Sequence, residues 1–177
     1  MKKIIFLLVF LHIGSFSFSQ TQWKASIASV TFKIKNAGLT VEGSFGGLIS
    51  EINFDAENYS KSSMEASVDV NTINTGIDLR NSHLKKEEYF NAAKFSRITA
   101  KSTSFTKEKD GTFKGSFKLT IKGITKEIII PFSFIESAKG AVFKSTFTLN
   151  RRDYTVGGNS WTMADDVTVT IIVTAVK

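Results

Sequence analysis

From Val30 onward the chain keeps returning to one pattern, apolar and polar residues in alternation. That two-residue period belongs to a β-strand with one buried face. Val30, Phe32 and Ile34 alternate with Thr31, Lys33 and Lys35. The pattern repeats over residues 39–45, 48–54, 64–71, 113–121, 124–135, 141–149 and 166–176, and more weakly over 97–107. Turn signals separate the runs: Asn36-Ala37-Gly38, Gly46-Gly47, Lys109-Asp110-Gly111, Lys122-Gly123 and Ala138-Lys139-Gly140. Residues 23–28 read as a lead-in, and Pro131 marks an edge, a bulge or a bend. Eight or nine strands follow, joined mostly by short turns. Antiparallel strands with one polar face must bury the other, and a sheet closed on itself does so without leaving edges. The fold expected is an all-β, antiparallel, eight-stranded barrel, with nine segments if the Gly46-Gly47 turn is real.

Two stretches break the alternation. Residues 72–95 open on the turn signal Asn74-Thr75-Gly76. They then gather Asp78, Arg80, His83, Lys85-Lys86-Glu87-Glu88, Tyr89 and Phe90, with no Gly or Pro between 77 and 91. This predicts a short helical lid over one end of the barrel, where a functional mouth is expected. Residues 150–165, with Arg151-Arg152-Asp153-Tyr154 and Gly157-Gly158, form the second break.

The N-terminus reads differently. Lys2 and Lys3 precede the apolar run 4–13, and Ser17 and Ser19 stand before Gln20. This is the pattern of a secretory signal peptide cut after Ser19, its apolar run too short for a permanent span. The expectation is an exported protein, periplasmic or secreted, with residues 20–177 as one domain. The chain has no cysteine, so disulfides, thiolate metal sites and cysteine nucleophiles are excluded. His12 leaves with the signal, and His83 alone cannot build a histidine metal site. No nucleophile-elbow motif is present. Neither an enzyme nor a metal protein is expected. The net charge of +7 comes from scattered lysines. That favours a soluble surface or an anionic membrane face over nucleic acid.

The inferred inward face is rich in phenylalanine, yet it also carries Gly43, Ser50, Ala66, Gly115 and Ser145. An eight-stranded barrel of this kind either fills its interior with side chains or holds one small ligand. A membrane barrel would need the opposite arrangement, with the charged faces lining a pore.

Four motifs in order resemble the YceI-like family of lipid- or polyisoprenoid-binding periplasmic proteins. They are Ser29-Val30-Thr31-Phe32-Lys33-Ile34-Lys35 with Val41-Glu42-Gly43-Ser44-Phe45; residues 69–75 running into Arg80-Asn81-Ser82-His83-Leu84 and Tyr89-Phe90-Asn91-Ala92; residues 115–126; and Arg152-Asp153-Tyr154. The resemblance spans residues 23–176. It implies a lipocalin-like barrel with a long hydrophobic channel for an isoprenoid or acyl chain. Asn36, Asn81, Asn91 and Ser96 stand where the family often has His, Asp, Asp and Pro, and these departures bear on headgroup preference.

On this reading Phe32, Phe45, Phe54, Met64, Phe117, Phe132 and Phe147 are the channel lining, and Arg80, His83, Tyr89, Arg152 and Tyr154 the headgroup-binding mouth. The ligand expected is a polyisoprenoid, an isoprenoid quinone or an acyl lipid. No cofactor is expected besides such a lipid. Transient contact with a membrane surface is expected, and a homodimer is left open. The alternative is a ligand-free interaction or stress protein with a filled barrel.

Overall fold

A computed structural model describes residues 21–177; the expected signal peptide lies outside them. Eight strands follow in order: β1 (Gln22–Asn36), β2 (Leu39–Asn53), β3 (Ser63–Asn74), β4 (Arg97–Lys107), β5 (Phe113–Ile121), β6 (Ile124–Ser137), β7 (Gly140–Asn150) and β8 (Met163–Val176). One helix, α1 (Asp78–Leu84), lies between β3 and β4, and a 3-10 turn, Arg151–Tyr154, lies between β7 and β8. Each strand pairs antiparallel with the next, and β8 returns to β1, closing the barrel.

The structure has eight strands rather than nine because Gly46-Gly47 does not turn. Strand β2 runs through it. Gly47 takes φ +62°, and the β2–β3 register slips on both sides of Gly46. That is a bulge, which bends a strand without ending it. The lead-in at 23–28 is the first half of β1, set off by a register slip between Ala25 and Ile27. Pro131 lies where the β6–β7 ladder stops, since pairing runs only from Phe132↔Ser145 to Ser137↔Gly140. Its missing N–H falls beyond the ladder. Its carbonyl accepts from the Ser145 hydroxyl at 2.6 Å.

The interior is uneven along the axis. Toward the β4–β5 and β6–β7 hairpins it is filled by an aromatic cluster centred on Phe54, which is fully buried. The Phe54 ring meets Phe105, Phe113, Phe132, Phe134 and Phe143 edge-on at centroid distances of 5.0–5.8 Å. Trp23 closes this end and donates its indole N–H to the Phe54 carbonyl at 2.9 Å. A smaller cluster of Leu119, Ile121, Tyr154 and Val156 sits near the other end, where β6 and β7 no longer pair.

Candidate ligand-binding site

The half of the barrel that the plug leaves free contains a cavity of about 260 Å³. Its walls are the inward residues of β1, β2 and β8, among them Val30, Phe32, Ile34, Val41, Phe45 and Val169. These residues face inward and yet remain half-exposed, because no side chain of the described residues fills the space before them. Ile52, Ile130 and Val173, all buried in the plug cluster, form the floor. The walls are aliphatic and aromatic almost throughout. Polar side chains gather at the rim, where Asn36, Thr75, Arg80, Tyr89 and Arg151 border the opening.

Not all the small inward residues make room. Ser50, Ala66 and Ala100 line the cavity. Gly43 does not, since a Cβ there would collide with the Phe32 ring and the Thr75 methyl. At Gly115 the rings of Phe117 and Phe105 take the space.

Of the seven lining candidates, Phe32, Phe45 and Phe147 stand in the cavity wall. Phe54, Phe117 and Phe132 do not: they belong to the aromatic plug, and Met64 packs against it. Alternation assigns a face but not a height along the barrel, and these four lie at the filled end. Phe90, in the lid, was not singled out as a lining residue. It borders the cavity and meets Phe45 edge-on at 5.5 Å.

Of the mouth candidates, Arg80, Tyr89 and Tyr154 reach the cavity, whereas His83 and Arg152 do not. Arg80 folds back onto its own loop rather than pairing with Asp78. Its Nε donates to Thr75 Oγ1 at 2.8 Å and its Nη2 to the Thr75 carbonyl at 2.6 Å. Asn81 Oδ1 accepts from both the Thr75 amide and the Thr75 hydroxyl, at 2.8 and 2.7 Å. Thr75 thus ties the end of β3 to the start of α1. His83 is exposed, with Nε2 3.5 Å from Glu88 Oε2 and its ring edge-on to Tyr89. Arg152 is exposed and lies 3.4 Å from Asp165 Oδ2.

The arginine that matters structurally is its neighbour. Arg151 is 4% exposed. Its Nε donates to the Ala164 carbonyl at 2.9 Å, and its Nη1 to the carbonyls of Val156, Gly157 and Gly158 at 2.9–3.0 Å. Its Nη2 donates to Asp165 Oδ1 at 2.8 Å. A signal for it existed: the inward parity of β7, Phe147 then Leu149, continues to 151. Around this arginine the 151–158 loop folds back and holds the lid, through Gly157 N–H to the Glu88 carbonyl at 2.9 Å.

Tyr154 is 1% exposed. Its hydroxyl is buried and has no hydrogen-bond partner in the protein. Burial raises its pKa above the ordinary 10.0, and the Asp153 carboxylate adds to the shift.

The family model of the YceI-like domain matches residues 22–175. A UPF0312 protein of Vibrio cholerae is 28% identical over 138 residues, covering 74% of this chain and 73% of its own. Among solved structures, Burkholderia cenocepacia BcnA superposes with a TM-score of 0.79 at 20% identity, covering 83% of this chain and 95% of that one. A polyisoprenoid binding domain from Saccharophagus degradans, implicated in plant cell wall breakdown, superposes with a TM-score of 0.67 at 16% identity, covering 89% and 98%. At these identities the likeness establishes the fold.

Proposed function

The chain belongs to the YceI-like family, and from that membership and its cavity we propose that it carries an amphiphilic lipid whose tail lies inside the barrel. The tail is an isoprenoid or acyl chain, as in a polyisoprenoid or an isoprenoid quinone. The family and its polyisoprenoid-binding structural neighbour support a lipid-binding barrel. The observation that carries the reading is the half-filled interior: aromatic plug below, an almost wholly apolar and half-exposed wall above, and the charged groups at the rim.

The energetics fit a tail. Each buried methylene is worth about 0.8 kcal/mol. Some ten of them give roughly 8 kcal/mol gross before the costs of association. The cavity falls just under the volume of about 300–1,000 Å³ usual for small-molecule pockets. A long tail is therefore held in part and emerges past the lid.

The carrier works outside the cytoplasm, as the signal-like residues 1–19 suggest. It exchanges its cargo by touching a membrane with the mouth end. Trp161, Leu79 and Leu39 are 99%, 82% and 72% exposed there. The amide of Ala37 donates to the Thr162 carbonyl at 2.8 Å, which sets the β1–β2 hairpin beside the loop that carries Trp161. Tryptophan and leucine around a mouth suit a lipid interface, and the chain's net positive charge suits an anionic one. The role is binding rather than catalysis.

The test is native mass spectrometry of gently purified protein, followed by organic extraction. One lipid per protein, released on extraction, is expected. An empty protein that also takes up neither prenyl nor acyl lipids would end the carrier reading and leave an interaction protein.

A further inference from the structure

Strands β6 and β7 separate in the half of the barrel that holds the cavity. Their pairing begins at Ser137↔Gly140 and ends at Phe132↔Ser145. Each keeps its other neighbour to the rim. β5 pairs with β6 as far as Ile121↔Ile124, and β7 with β8 as far as Asn150↔Asp166. β1 likewise pairs with both β2 and β8 up to Asn36. Residues 124–131 of β6 thus face residues 146–150 of β7 without a ladder between them.

Side chains close this seam. Tyr154 and Val156, from the loop after β7, pack with Ile124, Ile128 and Leu149 across its upper part. Lower down, Ile130 on one flank and Phe147 on the other both line the cavity. Ile129 lies on the outer side and is 55% exposed. Opening a paired seam breaks ladder hydrogen bonds along its length. Parting β6 from β7 here breaks no ladder bond and only moves apolar side chains. β1 and β2 also separate, over residues 24–29, but behind that gap Ala25 and Leu48 pack on the aromatic plug.

The lid ends at the top of the same seam. Its Glu88 carbonyl accepts from Gly157 N–H at 2.9 Å, in the loop after β7, and from Lys122 Nζ at 3.4 Å, in the β5–β6 turn. A chain that outgrows a cavity of about 260 Å³ meets the lid along the axis and unbroken ladders on the β8–β1–β2 side. We propose that the β6–β7 seam is a side port, through which the part of a lipid chain that outgrows the cavity passes beside the lid. This rests on the lipid-carrier reading and adds the route its cargo takes.

The chain has no cysteine, so the seam can be stapled selectively. Carried on past Phe132↔Ser145, the register sets Ile129 opposite Thr148, both exposed. Ile129→Cys with Thr148→Cys is bridged by a short bis-maleimide that carries a reducible disulfide. The same reagent bridges Ser133→Cys with Lys144→Cys, a pair inside the ladder, as the control. The probes are geraniol, short enough for the cavity, and geranylgeraniol, twice as long. The seam staple should weaken geranylgeraniol binding about tenfold or more, because the methylenes it shuts out stay in water. It should slow uptake of the long chain at the same time. Geraniol should bind within about twofold of wild type, which also shows that the stapled barrel is intact. Reducing the bridge should restore the long chain, and the control staple should change neither probe. A seam staple that leaves geranylgeraniol binding and uptake unchanged overturns the inference and leaves the carrier reading intact. So does one that weakens both probes equally. Wild type that binds neither probe overturns both.

Discussion

The ring of Phe32 occupies the space that a side chain at Gly43 would take. The two residues are directly paired across β1 and β2, and a Cβ at 43 would collide with the ring. The missing side chain is what lets Phe32 lie against the wall, tilted on Phe45 at 5.4 Å. Gly43→Ala should therefore push Phe32 into the cavity. The expected result is a several-fold loss of affinity that grows with ligand chain length. Overpacking should cost about 1–3 kcal/mol in urea unfolding. Unchanged affinity for long chains would place the ligand away from this wall.

Phe54 and Phe117 should respond oppositely to cavity residues, since they hold the plug. Phe54→Ala removes a fully buried ring packed on five others. It should cost about 3–5 kcal/mol. Phe117→Trp crowds the space beside Gly115 and should cost about 1–3 kcal/mol, with lipid affinity changed less than twofold. A large affinity loss at Phe117 without a stability loss would put it on the ligand's path.

What alternation could reveal was the face of each strand, and on that the barrel stood or fell. Phe32 and Phe54 share one pattern and one residue type, yet one lines a cavity and the other fills a plug. The difference is height along the axis, set by closure and register, and a two-residue period carries no information about it. Gly46-Gly47 carries the signal of a turn and forms a bulge, because both use glycine; only the strand pairing on both sides separates them. At the mouth, Arg152 drew notice from its Arg-Asp-Tyr motif, while the buried Arg151 beside it was legible only by carrying the β7 parity one step further. The lid was visible as a break in pattern. Its fastening was not: the Gly157–Glu88 contact is made by backbone groups that every residue has, and the Thr75 contacts with Arg80 and Asn81 depend on how the chain turns between β3 and α1.

Arg80 is a clamp on Thr75, so its loss should loosen the lid. Arg80→Gln gives up the bonds at 2.8 and 2.6 Å. A destabilisation of about 1–2 kcal/mol is expected. Hydrogen exchange should rise over residues 75–84. His83→Ala, at an exposed site, should leave both exchange and ligand uptake within a few-fold of wild type. If His83→Ala abolished uptake, the histidine would belong to the site and not to the outer surface of the lid.

Tyr154 should also mark the alkaline limit of the fold. Its pKa is raised in the folded state above the ordinary 10.0. The folded protein then holds this proton after the unfolded chain has released its own, so stability falls as pH rises past about 10. Urea midpoints should decline over that range in wild type. Tyr154→Phe, with no proton to lose at this position, should show a shallower decline. Equal slopes would mean that the phenol titrates as freely in the fold as outside it.

The last prediction concerns delivery rather than binding. Trp161 and Leu79 are exposed at the mouth end without taking part in the cavity wall. Burying either in a lipid interface is worth on the order of 1.5–3 kcal/mol at full burial. The double variant Trp161→Ser, Leu79→Ser should bind vesicles of mixed neutral and anionic phospholipid at least tenfold more weakly. It should pass a bound prenyl lipid to them correspondingly more slowly. Because neither side chain lines the cavity, affinity for the same lipid dispersed without membranes should stay within about twofold. Added salt should weaken the vesicle binding of wild type by screening the positive chain from the anionic surface. Slowed transfer with unchanged affinity separates docking from binding. Transfer that proceeds at the wild-type rate would show that cargo leaves by another face of the barrel.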